Sequence, residues 1–425
     1  MKPFTARKGV IAILATFMTS MTSPSTSTGN TIQCSSEGKA GTYPCSNVHL
    51  ASEIDLSKSG LSAASGNDIW GWTDPDTGKE YALMGLSSKT AFVDVTNPEA
   101  PEHIGDLPTA TSSSVWRDIK VYKNHAFIVS EAYNHGMQVF DLTRLRNAAP
   151  REPREFKEDV RYKLFGSAHN IVINEDSGFA YAVGSDTCQA GMHVVDIRKP
   201  KSPSFSTCID REIFDDVGND SVNLFHGEDY THDAQCVIYK GPDVRYTGRE
   251  LCFCSNADTV NVVDVSDKSA PFQIAVSDYP GLGYTHQGWL SEDQRYFFLG
   301  DELDETKFGH PTKTLIWDMK DIHAPKLIGT YFSTELGIDH NLYVRGNVLV
   351  QANYDAGLRL LSTENVASGE LVEIGFFDTE PTKNKAQFQG AWSVYPYFKS
   401  KNIIVSNIDG RLFVLTPSSF IASKF

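Results

Sequence analysis

VVDVSDKSAP, Val262 to Pro271, is the stretch that decides the fold. Two β-branched residues, an Asp, another apolar residue and then a Ser- or Pro-rich turn make one short strand with its stop signal. The same pattern stands at FVDVTNPEAP from Phe92, VFDLTRLRN from Val139, VVDIRKPKSP from Val194 and IWDMKDIHAP from Ile316. RLLSTEN from Arg359 and RLFVLTP from Arg411 are looser copies. Seven copies at a spacing of about fifty residues are the signature of a repeat architecture with four strands per unit.

The remaining strands fall into register around this marker. A second run precedes each copy, as in HAFIVSE, FAYAVGS, ELCFCSN and RYFFLGD, and a first run precedes that, as in WRDIKVY, AHNIVIN, HDAQCVIY and HQGWLSE. A fourth follows the marker, as in EHIGDLP (Glu102 to Pro108) and KLIGTYF (Lys326 to Phe332). Helical periodicity is nearly absent. The expectation is an all-β chain forming a single seven-bladed β-propeller. Too few residues follow the last marker to complete its blade, whereas HLASEIDL, His49 to Leu56, has the fourth-strand pattern ahead of the first blade. The N-terminal strand is therefore expected in the last blade, closing the ring and covering an edge open to aggregation. The marker aspartates Asp94, Asp141, Asp196, Asp264 and Asp318 are read as turn formers, because an Asp side chain at a strand end accepts from nearby backbone N–H groups. DPDTG at Asp74 is read as a hairpin turn and not as a calcium loop, since the remaining ligands of such a loop are missing.

Residues 1–28 carry a signal-peptide pattern: Lys2, Arg7 and Lys8, then the apolar VIAILATFM, then small and polar residues. Residues 29–46 form a cysteine-bracketed segment and 47–425 the propeller. No apolar run is long enough to span a bilayer, so no transmembrane segment is expected after signal removal. The formal charge is −15, and loss of the three basic residues of the leader makes it more negative still. Such a surface repels nucleic acid and anionic membranes and favours cations. Seven cysteines fit an extracellular, oxidising compartment. Cys34 with Cys45, Cys188 with Cys208 and Cys236 with Cys252 are the expected disulfide pairs, which leaves Cys254 in an apolar strand. Asn219, in the sequon Asn219-Asp220-Ser221, is a candidate glycosylation site.

Function concentrates at one level of the repeat. His169, His232, His286 and His340 open the first strands of four consecutive blades, and Asn170, Asp233, Gln287 and Asn341 follow them. YTHDAQC from Tyr230 and YTHQGWL from Tyr284 show the equivalence most plainly. First strands begin, and second strands end, at one mouth of a propeller's channel. Arg117, Asp118 and Gln389 fall near that level, and second strands end at Glu131, Asp186, Asp258, Asp301 and Glu302, with Asn353 and Asp355 in the sixth blade. The candidate metal ligands are His169, His232, His286, His340, Asp301 and Glu302, holding zinc or calcium. The candidate ligand-binding set is Arg117, Asp118, Glu131, Asn170, Asp186, Asp233, Asp258, Gln287 and Asn341, with Trp116, Trp289 and Trp392 as apolar walls. A third reading makes each histidine a latch between neighbouring blades. No G-x-S-x-G elbow or phosphate-cradling glycine loop points to other enzyme classes.

NDIWGWTDPDTGKEYALMGL, WRDIKVYKNHAFIVSEAYNHGMQVFDLTRLR, YTHDAQCVIYKGPD, YTHQGWLSEDQRYF and GIDHNLYV together resemble the choice-of-anchor B family, secreted or surface-attached proteins with LVIVD repeats. The resemblance runs from about Asn47 to Leu415. It implies an extracellular β-propeller and implies no reaction. SSFIASKF, after the last marker, is not a hydrophobic tail, so free secretion is expected. The expected function is a secreted binding module that takes a metal ion, a small ligand or an extracellular protein at its polar mouth. The alternative is a metal-dependent hydrolase working there.

Overall fold

The marker strand is the third strand of each sheet, and in six blades, the seventh included at Val414/Leu415, it carries the same distortion. In the computed structural model, which describes residues 29–58, 64–147, 154–210, 213 and 230–425, the register between third and fourth strands shifts at Phe92/Val93, Val194/Val195, Val262/Val263, Ile316/Trp317 and Leu360/Leu361. Each shift opposes the two residues to three on the outer strand, a β-bulge that steepens local twist. The aspartates then close the strand: Asp94, Asp141, Asp196, Asp264 and Asp318 each accept a bond from the backbone N–H two residues on. Their structural role is thus observed. Asp74 acts likewise at its hairpin, accepting from Asp76 N and pairing with Arg146.

Seven sheets result, each built on four antiparallel strands that are consecutive in the chain except in blades 2 and 7, while blades 1 and 6 gain short extra strands at their outer edges. The first strands of blades 1 to 7 are Gly66–Thr73, Arg117–Tyr122, Asn170–Asn174, Asp233–Ile238, Thr285–Leu290, Asn341–Arg345 and Ala391–Tyr395. Each touches the next around the ring, and Ala391–Tyr395 returns to Gly66–Thr73, so the first strands line a central channel. Blade 7 consists of Ala391–Tyr395, Ile403–Asn407, Arg411–Pro417 and, from the N-terminal side, Val48–Asp55. The expected closure is therefore present. Apolar faces pack between neighbouring sheets, as where Phe92 stacks on Phe140 at 4.7 Å and Phe253 on Phe297 at 5.9 Å.

The three expected disulfides are all formed. Cys236 and Cys252 are directly opposed across a strand pair, and Cys254 is buried. The segment before the propeller is more integrated than its sequence suggests. Tyr43–Ser46 adds to the outer edge of blade 6 against Val372–Phe377, and Lys39–Ala40 pairs with it in turn. Arg154–Glu155 covers the outer edge of blade 1 in the same way, as a parallel strand beside Glu102–Pro108. Both additions use up backbone groups that would template aggregation. The leader at 1–28, Asn219 and all but one residue of the stretch 211–229 lie outside the described residues. Among the described residues no helix is long and apolar enough to cross a membrane.

The closure can be tested at Ile54, fully buried on the N-terminal strand opposite Leu412. Ile54→Ala is expected to cost about 2–4 kcal/mol through lost burial and a residual cavity. Lys58→Ala, whose side chain is 79% exposed, should change stability by less than about 0.5 kcal/mol. The readout is the urea midpoint at unchanged slope; an unmoved midpoint for Ile54→Ala would place the closing strand outside the cooperative unit.

Candidate functional site

The inner strands are laced by bonds from side chains of one blade to the backbone of the next. Asp68 accepts from Ile119 N at 3.1 Å and Asp118 from Ile171 N at 2.7 Å. Asn170 donates to the His232 carbonyl, and Gln287 both donates to and accepts from Leu342. Two of the histidines belong to this lacing. His232 Nδ1 lies 2.8 Å from the His286 carbonyl, and His340 Nδ1 bonds the Trp392 carbonyl. A carbonyl only accepts, so Nδ1 carries the proton in both rings and the lone pair rests on Nε2. His286 continues the series less tightly: its Nδ1 makes no well-formed hydrogen bond among the described residues, and the His340 carbonyl is the backbone acceptor that acts on it.

The four rings form a continuous arc, with centroid separations of 4.3 Å from His169 to His232, 4.1 Å to His286 and 4.6 Å to His340. Tyr354 extends it, 4.6 Å from His340. Both His286 and Trp392 sit at bulges opening their strands, which turns them toward the mouth. Glu302 faces the far half of the arc. One of its oxygens is 3.6 Å from His286 Nε2, the other 3.7 Å from His340 Nε2, and Tyr354 donates to it at 2.9 Å. Glu131 holds the near end through His169 Nδ1.

Burial sets the protonation states. It pushes His340 down to about 3, and it pushes His286 well below the ordinary imidazole range, with the neighbouring imidazoles adding to the effect. Burial therefore favours the neutral form of both rings. Burial lifts the Glu302 carboxyl to about 7. His169 goes the other way: burial is the largest single influence and pulls it down, but the bond and charge of Glu131 more than offset it, with Glu302 and Asp233 adding.

A cavity of about 570 Å³ opens above the arc. Glu131, His169, His232 and Glu302 are its polar lining, and Trp116, Tyr284, Tyr354, Phe388 and Trp392 its aromatic walls. No Lys or Arg lines it among the described residues. His286 and His340 are buried behind Glu302, at 2% and 5% exposure.

Several expected residues lie elsewhere. Arg117 is buried between blades, donating to the Leu86 carbonyl and to His135. Asp118 is an inner latch paired with Lys120 at 2.6 Å. Asn170 and Gln287 are latches too, and Asn341 is buried at its strand start. Asp186 is exposed and caps the Gly166 N–H. Asp258 lies in a turn over Asn256, and Gln389 is an exposed partner of Lys383. Asp301 is committed to structure, accepting from Gly283 N, Tyr284 N and the Tyr279 hydroxyl. Asp355 accepts from Gln387, and Asn353 is buried. Asp233 and Trp289 face the other end of the channel, a 490 Å³ cavity with Lys120, Trp70 and Tyr343; burial lifts Asp233 to about 7. Trp289 is three residues along its strand from His286, about 10 Å down the channel.

Tyr284 and Tyr354 were not foreseen. The signal for Tyr284 was the Tyr-Thr-His motif itself, because period-two alternation puts Tyr284 on the same side as His286 and Tyr230 on that of His232. No family model matches this chain, and no curated protein matches it significantly.

Glu131→Gln is expected to move the His169 titration downward, because burial is then countered only by the smaller influences of Glu302 and Asp233. The folded-state value is raised, so the pair's stabilisation is complete below the unfolded value near 6.5 and is lost as pH rises through the folded one. Ring-proton NMR on both proteins checks this; a His169 midpoint unmoved by the substitution would remove Glu131 as its cause.

Proposed function

We propose that this protein is a secreted binding propeller whose channel mouth holds a divalent metal ion on His286, His340 and Glu302. The observation that carries the reading is the convergence of two imidazole Nε2 atoms on one half-buried carboxylate, 3.6 and 3.7 Å away. Ligands bound at about 2.1 Å in a tetrahedron stand about 3.4 Å apart, close to the two imidazole–carboxylate separations, and all three donor atoms lie within 4.8 Å of one another. The Trp392 carbonyl orients the His340 ring as outer partners do in metal sites generally. The acidic chain and the absence of a cationic wall both favour a cation.

The adjoining cavity gives the ion a use. Aromatic walls with a few convergent polar groups suit a small organic ligand, and its size falls in the usual range for such sites. A ligand with an anionic or lone-pair group directed at the mouth fits this lining best. Secretion is inferred from the leader pattern together with the three disulfides, and kinship with choice-of-anchor B proteins from the long shared phrases and the propeller fold.

A hydrolytic reading rests on one further observation, the Glu131–His169 pair at the other end of the arc. A metal supplies an activated water when a coordination position is open. Glu131 and His169 would hold or move a proton beside it.

Elemental analysis of protein purified without chelator or polyhistidine tag is the test. About one equivalent of metal is expected, with at least tenfold weaker retention in His286→Ala and in His340→Ala. Glu302→Gln should weaken it similarly. Absence of metal after repletion with zinc and manganese would overturn the reading and leave the histidines as latches. Metal retention with no turnover across ester, phosphoester and peptide substrates would leave binding as the function.

A further inference from the structure

Immediately behind the mouth wall, the turn after Glu302 carries a second group of acids. Asp304 and Glu305 open the short helix Asp304–Phe308, and Asp339 precedes the inner strand of blade 6. Asp304, Glu305 and Asp339 are buried, at 0%, 2% and 1% exposure. One carboxylate oxygen from each lies within 4.8 Å of the other two. Two oxygens on opposite sides of a calcium ion, at about 2.3–2.6 Å each, are separated by at most about 5 Å. The three can therefore share one ion.

Independent observations point to a ligand. Both oxygens of Asp339, Oε2 of Glu305 and Oδ1 of Asp304 receive no donor from the described residues, and those oxygens of Glu305 and Asp339 can hydrogen-bond only to each other and only when one of the two acids is protonated. Leaving such groups unsatisfied in the interior is costly. The room for them is also built in. A Cβ on Gly300 would stand 2.0 Å from Asp339 Oδ2, and one on Gly283 would stand 2.5 Å from the Asp304 N–H. The positive groups at hand are few. Lys313 pairs with Asp304 and lies 4.0 Å from Asp301, and His310 Nε2 is 3.8 Å from Asp304. With Asp301 included, four carboxyl groups face one lysine.

We propose that Asp304, Glu305 and Asp339 bind a hard divalent cation, calcium by their all-oxygen chemistry, at the junction of blades 5 and 6. This site differs from the imidazole site in donor type, and the two are expected to be independently loaded. The ion would tie the start of blade 6 to the turn that presents Glu302 and Leu303 to the mouth cavity.

The test uses the full mature chain, stripped with EGTA and titrated with calcium or with terbium. Calcium should raise the thermal midpoint by several degrees, and terbium emission should be sensitised by nearby tyrosines such as Tyr279. Asp339→Asn and Glu305→Gln should each weaken calcium affinity at least tenfold, while His286→Ala leaves it unchanged. The alternative is that Glu305 and Asp339 share a proton. It predicts no calcium-dependent shift and no terbium emission, with Asp339→Asn at least as stable as the parent protein, and that result would overturn the proposal. A calcium shift that survives both substitutions would also overturn it, by placing the ion elsewhere.

Discussion

The structure depends on the lacing of its inner strands. A propeller's sheets pack face to face, but near the axis the first strands converge with little apolar area between them. Here the gap is bridged by buried polar side chains that satisfy backbone groups of the next blade. Asp68 does so to Ile119, Asp118 to Ile171 and Gln287 to both backbone groups of Leu342. Each such bond is worth about 1 kcal/mol net, but the cost of removing one partner is greater, since a buried donor or acceptor is then stranded. The lacing thus fixes blade against blade, and with it the position of every group at the mouth.

Excess negative charge is the second theme. The chain carries −15 formally, and its interior holds carboxyl groups in three places along or beside the channel: Glu131 with Glu302 at the mouth, Asp68, Asp118 and Asp233 within, and Asp304, Glu305 and Asp339 behind the mouth wall. The middle group has a dedicated internal cation, Lys120, which sits between Asp118 and Asp68 and over the Trp70 ring at 4.7 Å, and the third has buried Lys313 beside Asp304 for its three carboxyl groups. Buried carboxylates elsewhere must be protonated, hydrogen-bonded or matched by an ion. Asp301 shows the hydrogen-bonded solution, with two backbone N–H groups and a phenol.

The fold was legible in the sequence because its signal is local and repeated. The marker combines a strand, a bulge site and an Asx turn in ten residues, and the closing strand was found by its likeness to other fourth strands. Cross-strand cysteines were equally plain, being opposed in a hairpin. Tyr43–Ser46 and Arg154–Glu155 were not legible, since strands of four and two residues have no periodicity to read. Within the site, the register identified the histidine arc correctly. It failed for Asp186, Asp258 and Asp301, because loop geometry at the ends of second strands differs from blade to blade. Trp289 was misjudged for a simpler reason: three residues along a strand is most of the channel's depth. Asp304, Glu305 and Asp339 lie 34 residues apart and meet only through tertiary packing.

Latch and metal ligand are not competing roles for these histidines. The position they occupy is filled in blades 1 and 2 by Asn67 and Arg117, and both still donate to a backbone carbonyl, Asn67 to Val115 and Arg117 to Leu86. An amide or a guanidinium therefore makes the latch as well as an imidazole does. The side chains differ in what is left over. Once the donor is spent, a guanidinium has no lone pair and an amide has only a weakly basic oxygen, whereas an imidazole keeps a nitrogen lone pair on the opposite side of a rigid ring. Of the four histidines, His232 and His340 make the latch in the one way that leaves a metal-competent atom, and His340 does so where Glu302 faces the rings. Latching alone does not require histidine there.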